Sequence, residues 1–363
     1  MAQDIPYKSR VRIEAEAICD GFISAGAARF ETDILLQAEV LLDLYGEDIR
    51  ARAYVTTDPE RGEMMLRPDF TVPVVERHMA EGAEPARYTY AGEVFRRQEE
   101  HPDRANEYVQ VGFEVFDRED PEAADAEVFA LFCQALTGHG LRAVTGDIGI
   151  LTAAVSGLDT TEARRAALMR HIWRPRRFRA LLDRFSGKTD LPPSRKALLA
   201  AANPMDRAGV SIGLREPEDV LARIEALRAD QAQPRLARHQ VEMLEQLLKV
   251  SEACPFALEQ LRDIAVDMPA ITAAVDRFAR RCDAMDKRGV AVDQLAFEAS
   301  YGRASMEYYD GFVFGFARLD RPDWPLVASG GRYDALTRQL GQGREIPAVG
   351  GVIRAGLLVE LER

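Results

Sequence analysis

The chain has 363 residues, 47% of them hydrophobic and 29% charged, which is an ordinary composition for a soluble globular protein. Its 59 acidic and 47 basic residues give a net charge of −12, which argues against nucleic-acid binding because such proteins normally carry a basic excess or a concentrated basic face. No apolar stretch is as long as a membrane span, and the first ten residues lack the apolar run of a signal peptide. We therefore expect a cytoplasmic protein with no membrane partner, built as two domains or as one domain with a large insertion.

The cysteines and histidines do not form the pattern of a metal site. Cys19, Cys133, Cys254 and Cys282 are far apart without a CxxC pair, so we expect free, mostly buried thiols. The five histidines are scattered without the spacing of metal ligands. A Walker A loop, a GxGxxG after a strand, HExxH and GxSxG are also absent from the sequence. The sequence thus predicts neither a bound metal nor a cofactor.

Helices and strands follow one another in the first part of the chain. Helical spacing predicts an amphipathic helix over residues 9–25, and Glu63–Thr71 passes from a short strand into a second helix. A helix is predicted to begin at Asp120-Pro121 and run to about Leu136, since proline is favoured in the first turn. Thr145–Leu151 is predicted to be a strand.

The middle of the chain has helical spacing without alternating runs, and strand patterns return near the end. We divide the chain at these changes into residues 1–152, a helical insertion over 153–289, and residues 290–363. Strands are expected over Tyr308–Ala317, at 327–331 and from 348, followed by a last helix to about Leu361.

A central pair of alternating runs, Arg87–Arg97 and Tyr108–Phe116, predicts two antiparallel strands joined by a long charged loop. In the second strand, Gln110 and Glu114 share one face, with Gly112 between them. Because glycine leaves a gap on that face, we interpret it as the floor of a site for a small polar ligand. The alternative is a hairpin whose solvated tip carries only surface ion pairs.

One dense basic cluster, Arg170–Arg179, contrasts with the acidic chain. The simplest interpretation is a basic helix end broken at Pro175. The alternatives are a site for a polyanion and a docking surface for an acidic partner.

Five short motifs occur in order along the chain: LRPDFT (66–71), YAGEVFRR (90–97), EYVQVGFEVF (107–116), EYYDGFVF (307–314) and SGGRYDAL (329–336). Together they resemble the catalytic core of histidyl-tRNA synthetase, a class II aminoacyl-tRNA synthetase, over nearly the whole chain. The helical block lies where that family carries an insertion. The resemblance implies an α+β fold, in which an antiparallel sheet is flanked by helices and carries a helical insertion.

The resemblance implies a pocket for histidine, with one group of residues at the main-chain end of the ligand. Asp69 (a glutamate in the synthetase), Thr71 and Gln110 would hold the α-amino group. Arg96 would face the carboxylate as a charge-assisted donor. The alternative role for Asp69 and Thr71 is to cap the helix that begins beside them.

The other end of the implied pocket would read the imidazole ring through Glu114, Tyr309 and Tyr333. A carboxylate and hydroxyls satisfy both ring nitrogens, and a ligand that left these groups unpaired would bind poorly. The alternative for the two tyrosines is core packing with the hydroxyl at the surface.

The chain departs from the synthetase at the positions that grip ATP. The segment GGVIRAGLLVELE matches motif 3, but Leu357 stands at the ATP-binding arginine and Gly356 at the glutamate. Leucine cannot donate a hydrogen bond to a triphosphate, so the sequence argues against nucleotide activation. No residue follows position 363, so we expect the anticodon-binding domain to be absent. The remaining departures are Gln98 and Asn106 in motif 2, Arg303 displaced by one position from the synthetase's arginine, and Asp33 at the motif 1 proline.

A histidine pocket without an ATP grip is similar to the regulatory subunits of ATP phosphoribosyltransferase. That resemblance implies a non-catalytic homodimer that assembles with the short-form catalytic subunit into a hetero-octamer, with L-histidine as feedback effector and without tRNA. The acidic charge suits a protein partner better than tRNA. The alternatives are a ligase that activates an amino acid for a non-tRNA acceptor and a scaffold that binds no ligand.

Overall fold

A computed structural model describes residues 5–45, 48–98, 104–206, 209, 216–303, 309–321 and 323–362. Residues 99–103 of the predicted hairpin loop, and Glu307 and Tyr308 of the fourth motif, lie outside these ranges. The strands of the described residues are β1 (Ala28–Arg29), β2 (Leu35–Gln37), β3 (Val55–Asp58), β4 (Gly62–Leu66), β5 (Ala86–Phe95), β6 (Glu107–Phe116), β7 (Arg142–Asp147), β8 (Ser251–Ala253), β9 (Ala296–Glu298), β10 (Phe312–Ala317), β11 (Ala328–Arg332) and β12 (Ala348–Arg354).

The helices surround these strands and make up most of the middle of the chain. They are α1 (Tyr7–Ser24), α2 (Ala38–Tyr45), α3 (Asp48–Arg52), α4 (Thr71–Glu81), α5 (Pro121–Ala135), α6 (Ile148–Ser156), α7 (Glu162–Arg170), α8 (Pro175–Phe185), α9 (Pro193–Ala200), α10 (Pro217–Gln231), α11 (Arg238–Leu247), α12 (Cys254–Asp267), α13 (Thr272–Lys287), α14 (Asp334–Leu340) and α15 (Ala355–Leu361). A short 3₁₀ turn, Pro269–Ile271, joins α12 to α13.

The main sheet has nine strands in the order β1-β5-β6-β12-β11-β10-β7-β9-β8 within the described residues. All neighbours are antiparallel except the two pairs β1–β5 and β7–β9. A smaller antiparallel sheet has the order β2-β4-β3. The prediction of an α+β fold with an antiparallel sheet flanked by helices is confirmed.

The predicted central hairpin is confirmed as β5 and β6, which pair antiparallel over their whole length. On one face of β6, Phe113 enters an aromatic core, where its ring centroid lies 5.1 Å from that of Phe22 on α1. Phe22 in turn stacks at 5.7 Å on Phe132 of α5. On the other face, Gln110 and Glu114 are each 1% exposed, because α4 and the start of α14 cover them. The alternation in β6 therefore places two polar side chains inside the protein.

Two aspartates fix where helices begin. The side chain of Asp120 accepts from the amide of Ala123, so α5 begins where its Asp-Pro pair predicts. The predicted strand Thr145–Leu151 is wrong after Asp147, because the Asp147 side chain accepts from the Gly149 amide at 2.8 Å and starts α6. An apolar run of this length does not distinguish a strand from the first turn of a buried helix.

Helices fill most of residues 153–289, as their spacing predicts, and this segment is tied to the sheet by backbone and charge. Strand β8 extends the edge of the main sheet beside β9. Arg281 on α13 forms buried ion pairs with Asp125 of α5 at 3.1 Å and with Asp147 at 2.5 Å. Arg332 of β11 pairs with the same Asp125 at 2.7 Å. Removing one member would leave a buried charge uncompensated, so this network fixes α13 against the core. The three segment boundaries stay a prediction.

The basic cluster has the predicted helix break, since α7 ends at Arg170 and α8 begins at Pro175. Three of the four cysteine thiols are buried, and Cys133 is partly exposed. Among the described residues, no helix combines the length and apolar character needed to cross a membrane.

Candidate functional site

The Glu114 carboxylate is the centre of a buried group of hydroxyls. Oε1 accepts hydrogen bonds from the hydroxyls of Thr71 and Tyr90, both at 2.9 Å, and Oε2 accepts from that of Tyr333 at 2.7 Å. These side chains come from α4, β5 and the residue that precedes α14. The sheet and two helices therefore converge on one carboxylate.

Burial raises the pKa of Glu114 to about 7 against the lowering effect of Tyr333, Thr71 and Tyr90, and the nearby Asp69 raises it further. A carboxyl group with this pKa exists in both forms near neutral pH. Its protonated form is a donor and its ionised form only an acceptor, so a ligand that donates a hydrogen bond selects the ionised form.

The predicted gap at Gly112 does not exist, because the ring of Tyr90 fills it. Tyr90 lies opposite Gly112 in the β5–β6 pairing, and a Cβ on Gly112 would lie 2.1 Å from the ring carbon Cζ of Tyr90. The Tyr90 ring also stacks on Phe70 at 4.4 Å. Sequence reasoning missed Tyr90 as a member of the site, although the strand register gives the signal: the glycine of one strand faces a tyrosine of the next.

A second glycine, Gly350 of β12, makes room for the carboxylate itself. It pairs with Glu114 across the sheet, and a Cβ on Gly350 would lie 1.4 Å from Glu114 Oε2. Any side chain there displaces the carboxylate from its hydroxyls. Gly350 is therefore a steric requirement of the site.

Asp69, Gln110 and Arg96 lie along the same end of the sheet. Burial raises the pKa of Asp69, and Arg96, 3.9 Å away, lowers it. Asp69 Oδ1 accepts from the Val72 amide at 3.4 Å, which is the alternative helix-capping contact, whereas the Thr71 hydroxyl donates to Glu114 instead. Gln110 Oε1 is buried and has no hydrogen-bond partner within the described residues. A buried acceptor without a donor is costly, so this oxygen is available to a ligand.

Tyr309 is 5% exposed and packs against Gly331, where a Cβ would lie 3.0 Å from its ring. It also lines a cavity of about 360 Å³ together with Asp310, Leu336 and Trp173. Tyr333, by contrast, reaches Glu114 directly, so the alternative of a hydroxyl at the surface is wrong for Tyr333.

Arg303 is directed toward the helical segment. Its Nε donates to the Ile172 carbonyl at 2.8 Å, and its guanidinium lies 4.8 Å from the centre of the Phe178 ring. Burial lowers the pKa of Arg303. These contacts give Arg303 a packing role between the sheet and α8.

The two motif 3 positions that differ from the synthetase, Gly356 and Leu357, carry no polar side chain. Leu357 is half-buried against the main core, and the Tyr7 hydroxyl donates to the Gly356 carbonyl at 3.3 Å. A Cβ on Gly356 would lie 2.9 Å from that hydroxyl, so α1 closes over this position.

Arg354 of β12 is a cation that sequence reasoning missed. It lies opposite Gln110 in the strand pairing, with its guanidinium 5.4 Å from the centre of the Tyr108 ring. Burial lowers the pKa of Arg354, Tyr108 raises it, and the positive charges of Arg96 and Arg104 lower it further. Arg96 and Arg104 thus lie near enough for their charges to repel that of Arg354, an arrangement that an anionic group would stabilise.

Comparisons with known proteins identify relatives of this chain. The family model described as histidyl-tRNA synthetase matches residues 9–231 and 216–355. The ATP phosphoribosyltransferase regulatory subunit of Brucella anthropi is 31% identical over 340 residues, which cover 88% of this chain and 89% of the relative. The protein of the same description from Brucella ovis is 30% identical with the same coverage.

Solved structures show the same fold. An ATP phosphoribosyltransferase regulatory subunit/histidyl-tRNA synthetase from Bacillus halodurans superposes with a TM-score of 0.70 at 20% identity, covering 100% of this chain and 82% of that chain. Histidyl-tRNA synthetase from Nostoc sp. PCC 7120 superposes with a TM-score of 0.66 at 16% identity, covering 100% of this chain and 76% of that chain. The chain therefore belongs to the histidyl-tRNA synthetase family, among its members that are ATP phosphoribosyltransferase regulatory subunits.

Proposed function

We propose that this chain is the non-catalytic, histidine-binding subunit of an ATP phosphoribosyltransferase. It would be required for the activity of that glycosyltransferase and for its feedback inhibition by L-histidine, at the first step of histidine biosynthesis. Relatives named ATP phosphoribosyltransferase regulatory subunit align with this chain over most of their length, which supports the proposal.

The observation that carries the proposal is the buried Glu114 with its three hydroxyl donors. A carboxylate offers about four lone-pair directions, and Thr71, Tyr90 and Tyr333 take three of them. One direction remains for the N–H of an imidazole ring. Tyr309, buried against Gly331 of β11, is proposed to contact the other side of the ring.

The main-chain end of the ligand would meet the polar groups beside Glu114. The unpartnered Gln110 oxygen and the Asp69 carboxylate are acceptors for the α-amino group, and the Thr71 hydroxyl, which already donates to Glu114, keeps lone pairs for it. Arg96, together with Arg354, would face the carboxylate. The mutual repulsion of these arginines would fall when the carboxylate binds.

A second candidate function, an amino-acid ligase without tRNA, is disfavoured by the motif 3 end. Leu357 is apolar and half-buried, and the Tyr7 hydroxyl occupies the space beside Gly356. Incubation with histidine, ATP and labelled pyrophosphate tests it directly. We expect no exchange of label into ATP, and exchange at a synthetase-like rate would favour the ligase.

The proposed partner is the short-form catalytic subunit, in a hetero-octamer built on homodimers of this chain, without tRNA. Histidine would shift this assembly toward a less active state, by no more than its preference for that state. Affinity purification from the native host, followed by mass spectrometry, is expected to recover the catalytic subunit. Recovery of tRNA or a carrier protein in its place would contradict the assignment.

Glu114→Ala is the sharpest test of the pocket, and Glu119→Ala, at an exposed position just beyond β6, is the matched control. We expect Glu114→Ala to weaken histidine binding roughly 100-fold by calorimetry, because a charge-assisted hydrogen bond is lost and three buried hydroxyls lose their acceptor. Feedback inhibition of the reconstituted complex should weaken in parallel while assembly persists. Unchanged feedback in Glu114→Ala would eliminate the assigned pocket.

A further inference from the structure

A second cavity, of about 260 Å³, lies in the helical segment between α8, α9 and α10. Basic side chains dominate its wall, with two acidic residues among them: Arg164, Arg184, Arg195, Lys196, Arg235, Asp190 and Asp230. Five cations against two carboxylates give the wall an excess of positive charge in a chain whose net charge is −12.

The two carboxylates are already engaged. Asp230 pairs with Arg164 at 2.6 Å, and Arg164 also donates to the carbonyls of Pro234 and Asp230, which satisfies its guanidinium. The same Asp230 lies 3.6 Å from Arg184. Asp190 lies 3.7 Å from Lys196. The charge of the remaining arginines is therefore not balanced within the cavity.

Arg184 stacks on an aromatic ring but leaves one of its hydrogen-bond donors without an acceptor in the described residues. Its guanidinium lies 4.6 Å from the centre of the Phe185 ring, yet its buried Nε has no hydrogen-bond acceptor within the described residues. Burial lowers the pKa of Arg184, Asp230 raises it, and the charges of Arg195, Arg164 and Arg223 lower it further. An anion in the cavity would supply an acceptor and relieve this repulsion.

Arg235 and Arg195 complete the wall, and neither has a carboxylate within 4.0 Å in the described part of the chain. The Arg235 guanidinium lies against Gly187, where a Cβ would be 2.7 Å from it. The φ of +76° at Gly187 also favours glycine. The loop after α8 thus leaves space that the Arg235 guanidinium occupies.

We propose that this cavity binds a small anion carrying one or two phosphate groups. Arginine forks match phosphate oxygens with paired hydrogen bonds, and Arg184, Arg195 and Arg235 approach the cavity from different elements. The cavity is several times the volume of one water molecule, about 30 Å³, and suits a compact ligand rather than a long polyanion. The site lies outside the Glu114 pocket and does not depend on the function proposed there.

Calorimetric titration of the full chain with phosphate, pyrophosphate and ADP, each as a separate probe, tests this site. The test variant is Arg195→Gln/Arg235→Gln, which removes two exposed arginines of the wall without breaking an ion pair. The matched control is Arg176→Gln/Arg177→Gln, which removes two exposed arginines of α8 outside the cavity. Thermal melting and circular dichroism of both variants establish that they fold.

We expect saturable binding of at least one probe, weakened about tenfold or more in the cavity variant and within about twofold of wild type in the control. This binding should weaken as salt rises. Equal weakening in both variants would indicate a diffuse basic surface and overturn the site. If none of the three probes binds saturably, the proposed site is also overturned. This holds even if RNA or an acidic peptide binds.

Discussion

The surroundings of Glu114 and of Leu357 differ although β12, which pairs with the strand of Glu114, leads directly into α15, which carries Leu357. Beside Glu114, polar side chains from three elements converge, and two glycines, Gly112 and Gly350, make the space they need. Beside Leu357, the corresponding synthetase positions are apolar and α1 closes over them. The surroundings of Glu114 thus keep a buried hydrogen-bonding site, whereas Gly356 and Leu357 supply no polar side chain in place of the synthetase's glutamate and arginine. Under the proposed function, binding of an amino acid and its activation would depend on separate groups of residues in one fold.

We expect the largest effect on stability from the charge of Glu114. Burial raises its pKa from 4.5 to about 7, so the folded state favours the protonated form. This contribution to stability is fully present below about pH 4.5 and is lost as pH rises through about 7. As pH rises across that window, the free energy of unfolding of the wild type should fall by up to about 3 kcal/mol relative to that of Glu114→Gln. Urea unfolding at several pH values measures this difference.

Asp310 contributes to the same dependence of stability on pH, because burial and the nearby Asp334 also raise its pKa to about 7. Asp310→Asn should flatten the same pH window, and the double variant with Glu114→Gln should flatten it most. If the stability of Glu114→Gln depends on pH as that of the wild type does, the pKa of Glu114 is not raised as described.

A smaller effect is expected at Gly350. A methyl group there would lie 1.4 Å from Glu114 Oε2, so Gly350→Ala should cost roughly 1–3 kcal/mol through overpacking. Histidine binding should be lost with it, because the carboxylate is displaced. The control is Gly21→Ala, in helix α1, where a Cβ meets no atom within 4 Å. Wild-type histidine affinity in Gly350→Ala would contradict the steric argument.

The smallest effect is expected at Leu357. Leu357→Arg places an arginine where the synthetase's motif 3 has its ATP-binding arginine. The substitution should still not produce pyrophosphate exchange, because Gly356 and the overlying Tyr7 are unchanged. Loss of half-buried apolar packing should cost about 1 kcal/mol, whereas Leu357→Met should be close to neutral. Recovery of exchange by the single substitution would mean that the surroundings of Glu114 and of Leu357 are less distinct than their packing indicates.

Local patterns determined a large part of the fold. Strict alternation placed Gln110 and Glu114 on the face opposite Phe113, and the structure confirms that separation. The Asp120-Pro121 pair marked the start of α5, because a cap and a first-turn proline act within one turn of the helix. The ordered motifs indicated the family and hence the antiparallel sheet.

Other features depended on contacts between distant residues. The gap predicted at Gly112 is filled by Tyr90 from the neighbouring strand, which only the register of β5 against β6 decides. The end of β7 at Asp147 depends on a side-chain cap and on the buried Arg281 pair, which is 134 residues away in sequence.

The amino-acid sequence alone predicts the secondary structure of the hairpin, the polar identity of its inner face and the replacement of polar motif 3 residues by Leu357 and Gly356. Periodicity and residue chemistry act over a few positions and need no tertiary context. The contact of Tyr90 with Glu114 and the position of Arg354 beside Gln110 emerge only from the folded chain. Hydrogen bonds and charge repulsion depend on distances of a few ångströms between separate elements, and packing of the whole chain sets those distances.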